Sequence, residues 1–296
     1  MTDLPFESAC FREAVQRMWE RMSPCIMCPR RCMVDRLAGR VGYCGIGAVA
    51  RISSAGPHFG EESVLVGSGG SGTIFFAGCN LRCIFCQNFD ISHHLHGQEM
   101  SVGDLAACML DLQRTGCSNI NVVTPSHVAA PIITGIESAR HSGLKLPIVY
   151  NCGGYESIET LKLLEGYVDI YMPDMKYSNN TSAEKLSGAI DYWDVNRAAV
   201  KEMHRQVGDL MVENGIARRG LLVRHLVLPN RLAGSFEIID FLSEKVSKET
   251  AINVMNQYRP CFKADSYAEC NRRPAAHEVD EVRSYAVKKG LNVLSG

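Results

Sequence analysis

The sequence predicts an α/β fold built on a parallel sheet, on three observations. From residue 72 onward, six short β-rich apolar runs alternate in strict order with segments of helical periodicity. Several of these runs are apolar throughout, as strands covered on both faces are. Strands that alternate with helices connect by right-handed crossovers into a parallel sheet. An open doubly wound sheet and a partial barrel of six strands instead of eight both satisfy the pattern.

The elements can be justified in order. Residues 1–22 read as an amphipathic packing helix, with Phe11, Ala14, Val15, Met18 and Met22 at helical spacing. Residues 23–50 are turn-rich and hold Cys25, Cys28, Cys32 and Cys44. A connector, His58-Phe59-Gly60-Glu61-Glu62, leads to Gly-Ser-Gly-Gly-Ser-Gly at 67–72. A phosphate loop follows a strand and opens a helix, whereas these glycines precede a strand, so they read as a flexible lead-in. Strands are expected at 73–77, 118–123, 146–150, 167–171, 221–228 and 251–255. Helices are expected at 102–115, 128–142, 156–165, 194–214, 235–246 and 276–289. The organisation this suggests is a helix and cysteine-rich metal-binding element over 1–55, and a core domain over 56–296.

Composition narrows the function. A formal net charge of −1 and dispersed basic pairs give no stripe for tracking phosphates, so neither nucleic acid nor an anionic membrane is expected as partner. No stretch approaches the ~18 apolar residues of a membrane span. The first residues, MTDLPFESACFREAV, carry acids early and lack the apolar run of a signal peptide; a cytoplasmic location is expected. Thirteen cysteines in 296 residues fall below the disulfide-scaffold range of about 8–10% yet exceed what packing needs. An odd count in such a protein points to metal or redox chemistry.

The informative segment is Gly78-Cys79-Asn80-Leu81-Arg82-Cys83-Ile84-Phe85-Cys86-Gln87-Asn88, on the loop that follows the TIFFA strand. Three thiolates spaced x3 then x2 reach three irons of a cubane from one loop. A [4Fe–4S] cluster normally takes four cysteines, so one iron is left open to bind a small chelating ligand and pass it an electron. Zinc is the competing reading, with His93, His94 or His96 as fourth ligand.

Cys79-x3-Cys83-x2-Cys86, with an aromatic before the last cysteine, resembles the radical S-adenosylmethionine (SAM) signature. The surrounding IFFAGCNLRCIFCQN is similar to the branch containing pyruvate formate-lyase activating enzymes, over residues 56 to 290. The segment CIMCPRRCMVDRLAGRVGYC further resembles their poorly characterised homologues. The resemblance implies a partial (β/α)6 barrel of the TIM type. It also implies that Cys79, Cys83 and Cys86 ligate the cluster, with the amino and carboxylate groups of SAM on the open iron. Phe85 would lie near the adenine. The implied activity is reductive cleavage of SAM to a 5′-deoxyadenosyl radical that abstracts hydrogen from a substrate.

Active sites of barrels collect at the C-terminal ends of the strands. Here those ends offer Thr124-Pro125-Ser126-His127, Asn151-Cys152-Gly153-Gly154, Pro173-Asp174-Met175-Lys176, residues 225–229 and Asn256-Gln257-Tyr258. The resemblance gives Asp174 and Lys176 polar contacts around SAM, with Lys176 on its carboxylate; a structural ion pair is the alternative. It also matches Asn151 and His225 to SAM-facing positions, although alternation sends only one of Arg224 and His225 inward. The family ends its second strand in a Gly-Gly-Glu type segment that holds the SAM ammonium. This chain lacks that carboxylate, and backbone carbonyls with the Ser126 hydroxyl are the expected substitutes. His127 has no family counterpart and reads equally as a hydrogen-bonding or a catalytic histidine.

Cys25-x2-Cys28-x3-Cys32-x11-Cys44 reads as a closed four-thiolate site, structural or electron-relaying, holding zinc or a second Fe–S cluster. Arg30, Arg31 and Arg36 would offset its charge. Of the remaining cysteines, Cys152, at a strand end, and Cys261, after Tyr258-Arg259-Pro260, stand out. The expectation is therefore a radical SAM enzyme with an external flavodoxin- or ferredoxin-like electron donor. Its substrate is expected to be a protein, such as a glycyl-radical enzyme, or a small molecule. The rival is a noncatalytic iron–sulfur or zinc electron-transfer protein.

Overall fold

The computed structural model describes residues 13–294. Helix α1 (Glu13–Glu20) buries Val15, Met18 and Trp19, and Met22 is buried just beyond it. Phe11, expected on the same face, lies outside the described residues. An irregular cysteine-rich segment follows, and then strand β1 (Ala50–His58), short helix α2 (Ser63–Val66) and strand β2 (Ser71–Phe76). Next come α3 (Phe89–Ser92), β3 (Gln98–Met100), α4 (Val102–Arg114), β4 (Ile120–Val123), α5 (Ala129–His141), β5 (Ile148–Cys152), α6 (Ile158–Leu163) and β6 (Ile170–Pro173). The chain continues through α7 (Asn180–Ser187), α8 (Tyr192–Val207), β7 (Met211–Glu213) and β8 (Ile216–Leu226). It ends with α9 (Ser235–Lys245), β9 (Ala251–Met255), α10 (Ala276–Lys288) and β10 (Asn292–Val293).

The sheet order decides between the two α/β architectures. Strands run β10-β9-β8-β6-β5-β4-β2-β1-β3, and β2, β4, β5, β6, β8 and β9 are parallel neighbours in chain order. A doubly wound sheet reverses strand order at a switch point. Here the order never reverses, so the six strands wind one way as a partial (β/α)6 barrel. The barrel does not close, because antiparallel β1 and β3 extend one edge and β10 the other.

Strand alternation separates two apolar layers. Ile120, Val122, Ile148, Tyr150, Leu221, Val223, Ile252 and Val254 pack outward against the helices. Val149, Ile170, Met172, Leu222 and Ala251 point into the barrel, where Leu65 of α2 joins them. A third cluster, with Leu81, Phe85, Tyr155, Tyr177, Tyr192 and Tyr258, surrounds the cysteine loop. No helix among the described residues is long and apolar enough to cross a membrane.

Three expectations change. The sheet begins at Ala50, because β1 pairs antiparallel with β2 (Ala55 opposite Ile74). The helix expected over 194–214 stops at Val207, where Gly208 adopts φ 74°. Residues 211–213 instead pair with β8 through Asn214 and Gly215, both at positive φ, as a two-residue Asn-Gly hairpin requires. The glycines leading into and opening β2 are fixed by packing rather than by flexibility. A Cβ on Gly69 would lie 1.9 Å from the Gly116 carbonyl oxygen, and one on Gly72 would lie 2.6 Å from that of Asn119.

Candidate functional site

The cysteine loop leaves β2 at the C-terminal end of the parallel strands. Gly78 opens it at φ 82°, where a Cβ would lie 2.8 Å from the Cys44 carbonyl oxygen. Backbone bonds clamp the loop from both sides. Arg82 N–H donates to Ser187 O and Ile84 N–H to Leu186 O, each at 2.9 Å, while Lys263 N–H donates to Ile84 O at 2.8 Å. Asn80 Nδ2 donates to Tyr155 O at 2.7 Å, and Arg30 Nε donates to Asn80 O at 2.8 Å.

Each thiol of the loop has a hydrogen-bond partner. Leu81 N–H donates to Cys79 Sγ at 3.3 Å, the Ser187 hydroxyl donates to Cys83 Sγ at 2.9 Å, and Ser92 Oγ lies 3.1 Å from Cys86 Sγ. Burial pushes the Cys79 thiol up to about 12, with Cys83 and Cys86 adding to the rise and Lys176 opposing it. Burial likewise raises Cys83. Among the described residues no three His, Cys, Asp or Glu side chains converge closely enough to share one ion. The fit to a cluster therefore rests on the donor chemistry. Three free thiols share one loop, each is already hydrogen-bonded, and a metal's charge deprotonates the thiols that bind it.

A charged band faces the loop from inside the barrel. Arg224 points inward from β8, with Glu61 at 3.4 Å, Glu62 at 3.6 Å and Asp174 at 3.9 Å. Asp174 also pairs with Lys176. Burial works against the Lys176 ammonium, but Asp174 and the nearby Cys83 outweigh it and hold the group above its ordinary range. Glu62 takes a hydrogen bond from Asn253 Nδ2 at 2.7 Å, and its buried Oε2 has no hydrogen-bond partner among the described residues. Asn151 shares the inward face of β5 with Val149.

His225 is corrected. It shares parity with Leu221 and Val223, which pack against helices, so it points out of the barrel. There its Nδ1–H donates to Met175 O at 2.7 Å and its Nε2 accepts from Ser235 Oγ at 2.8 Å. Burial pulls it down to about 4, so both ring nitrogens are satisfied in the neutral form. Arg224 takes the inward position instead.

Ser126 is committed to another partner. Its buried hydroxyl donates to Glu156, which also receives the Tyr150 hydroxyl at 3.3 Å. Burial raises Glu156 to about 7. Thr124, at the same strand end, is held at φ 61°, which is rare for a β-branched residue and is found where structure imposes strain. His127 donates from Nε2 to Ala77 O at 2.7 Å, and burial followed by Arg36 holds it down at about 3. Phe85 is buried edge-on against Tyr258, centroids 5.6 Å apart.

The N-terminal cysteines gather around one small pocket, lined by Cys25, Cys28, Cys32 and Cys44 with Arg36 and His127. Tyr43 N–H donates to Cys32 Sγ at 3.3 Å, and buried Arg36 approaches Cys25 Sγ at 4.0 Å while donating to the Gly47 and His127 carbonyls. Arg30 is used elsewhere, on Asn80 and on the Gly188 carbonyl at 2.6 Å. Two of the histidines offered as zinc ligands have other side-chain partners. Ser92 stands between His93 and Cys86, and His94 pairs with Asp90 at 3.6 Å. Cys152 is buried on the helix-facing side of β5.

Glu61, Glu62, Ser92, Ser187 and Glu156 were not singled out from sequence. Glu61 and Glu62 carried one signal, two adjacent acids in the connector before a core strand. The serines and Glu156 carried none.

No family model matches the chain. The uncharacterized protein MJ0674 of Methanocaldococcus jannaschii is 34% identical over 281 residues, covering 91% of this chain and 76% of that protein. Among solved structures, Streptococcus suis SuiB bound to S-adenosylmethionine superposes with a TM-score of 0.51 at 12% identity, over 74% of this chain and 48% of SuiB. SuiB bound to the precursor peptide SuiA gives 0.50 at 12% identity, over 73% and 46%. The chain thus spans about half the length of SuiB, and at that identity the likeness is one of fold. The chain belongs to the family of MJ0674, and its partial barrel shares the fold of SuiB.

Proposed function

We propose that the protein is a radical SAM enzyme that binds a [4Fe–4S] cluster through Cys79, Cys83 and Cys86, binds SAM beside it, and abstracts hydrogen from a substrate. The observation that carries this reading is the position of the three-thiol loop, at the strand ends and facing the band of Asp174, Lys176 and Arg224. When bound, the cluster supplies the electron that splits the SAM sulfonium from the 5′ carbon, yielding methionine and the 5′-deoxyadenosyl radical. Lys176, kept charged by Asp174, neutralises a carboxylate at the mouth. Asn151 offers an amide from the inward face of β5. The Thr124 backbone carbonyl, in place of the Ser126 hydroxyl, offers an acceptor for the SAM ammonium. Phe85 and Tyr258 form an apolar wall suited to a flat adenine and exclude water.

Two finer readings follow. The substrate is a protein, such as a glycyl-radical enzyme, which the likeness of IFFAGCNLRCIFCQN to the activating enzymes supports, as does the open edge of the barrel. SuiB, of the same fold, holds a precursor peptide. The N-terminal thiols hold a second metal, zinc or an Fe–S cluster, and an external flavodoxin- or ferredoxin-like donor supplies the electron.

The test is anaerobic purification with iron and zinc analysis, then incubation with SAM and a strong reductant. 5′-Deoxyadenosine and methionine should form, and Cys83→Ala should abolish both cluster and cleavage. Iron-loaded protein that cleaves no SAM, or zinc alone in the 79–86 loop, would sink the proposal.

A further inference from the structure

We propose that the Ser187 and Ser92 hydroxyls set the reduction potential of the cluster by hydrogen-bonding to the Cys83 and Cys86 sulfurs. The inference rests on the reading that these cysteines hold a cluster.

Ser187 is the last residue of α7 and is fully buried. Its Oγ lies 2.9 Å from Cys83 Sγ and 2.7 Å from the hydroxyl of Tyr177, which is also fully buried. A serine hydroxyl has one proton. With that proton on Cys83, Tyr177 must donate to Ser187, so two hydroxyls form a chain directed at one sulfur. Such chains polarise each other where water is excluded. The position is not a free rotamer of the surface, because the loop amides of Arg82 and Ile84 are bonded to the carbonyls of Ser187 and Leu186.

Ser92 is placed similarly against Cys86, at 3.1 Å, with His93 Nδ1 at 2.8 Å on its other side. Burial, Arg82 and Lys263 hold His93 down at about 4, so the ring is neutral at pH 7 and carries one N–H. With that N–H on Nδ1, it donates to Ser92 and leaves the Ser92 proton for Cys86. Among the described residues, Cys79 receives a backbone N–H alone.

Reduction adds one electron, taken from the external donor, and makes the cluster and its thiolates more negative. Hydrogen bonds donated to the sulfurs favour the more negative state and raise the potential. No bond to serine forms or breaks.

The test is a potentiometric EPR titration of the reconstituted full-length protein without SAM, for wild type, Ser187→Ala, Ser92→Ala and Tyr177→Phe. Ser187→Ala should keep its iron and move to lower potential. At a fixed solution potential its ratio of reduced to oxidised cluster should fall about tenfold, a shift of about 59 mV for one electron. Ser92→Ala should shift the same way. Tyr177→Phe should shift less, and it keeps the measurement decisive if Ser187→Ala fails to fold. Ser187→Thr, which restores the hydroxyl, should recover the wild-type value. Equal potentials in fully loaded wild type, Ser187→Ala and Tyr177→Phe would overturn the inference alone. A wild-type loop that takes up no iron would overturn the cluster reading itself.

Discussion

Arg224 of β8 lies 3.4 Å from Glu61, a residue of the connector that precedes the first core strand. Burial opposes the guanidinium charge, and Asp174, Glu62 and Glu61 together overcome it and hold Arg224 above its ordinary range. One side chain therefore ties the connector, β6 and β8 together at the mouth of the barrel.

Removing that side chain should be costly. Arg224→Ala leaves Glu61 and Glu62 buried beside Asp174, with His58 3.6 Å from Glu61 and Lys176 paired to Asp174. Breaking a buried pair from one side costs about 3–5 kcal/mol, and the lower figure applies because Arg224 is 20% exposed. Denaturant titration of the anaerobic protein should show this loss. A variant as stable as wild type would show that the band is not energetically coupled.

His225→Ala separates support from ligand binding. It leaves the Met175 carbonyl and the Ser235 hydroxyl buried without partners, at about 1–3 kcal/mol each. Stability should drop accordingly, while SAM affinity of the variant that remains folded stays within about twofold of wild type. A tenfold loss of SAM affinity, about 1.4 kcal/mol, would return His225 to the cofactor site. Lys176→Met should show that loss instead.

Glu156 gives a pH dependence with a definite sign. Its folded value of about 7 lies above its ordinary 4.5, so the folded state binds a proton that the unfolded state has released. Its contribution is fully present below about pH 4.5 and is lost as pH rises through 7. The shift corresponds to a few kcal/mol at about 1.4 kcal/mol per unit. Glu156→Gln keeps a neutral acceptor for Ser126 and Tyr150. Its stability relative to wild type should rise between pH 5 and pH 8, read from paired denaturation curves, and parallel curves would refute the assignment.

Cys28→Ala tests the N-terminal pocket. If the proposed second metal is held there, the variant should lose it, identified as zinc or iron by elemental analysis, and keep the iron of the 79–86 loop. Unchanged zinc and iron contents would mean that Cys25, Cys28, Cys32 and Cys44 are packed thiols without a metal.

Sequence by itself determined what depends on neighbours along the chain. The period-2 and period-3.6 patterns located β9 to the residue and the other parallel strands to within a few residues. Cysteine spacing located both thiol sets, and strand parity reduced Arg224 and His225 to a pair of alternatives. Even the β7–β8 hairpin was legible in Asn214-Gly215, although a helical reading ran through it. Only the tertiary structure decided what depends on separate segments meeting. Barrel winding follows from which strands pair, and β1 became a strand because β2 offered it an open edge. Arg224 faces inward because Leu221 and Val223 must cover helices. Ser187 reaches Cys83 because the loop amides bond the last carbonyls of α7. Local patterns record how a segment partitions between water and an apolar interior. They do not record which distant segment supplies the partner, since that is fixed only when the whole chain has satisfied its buried hydrogen bonds and charges together.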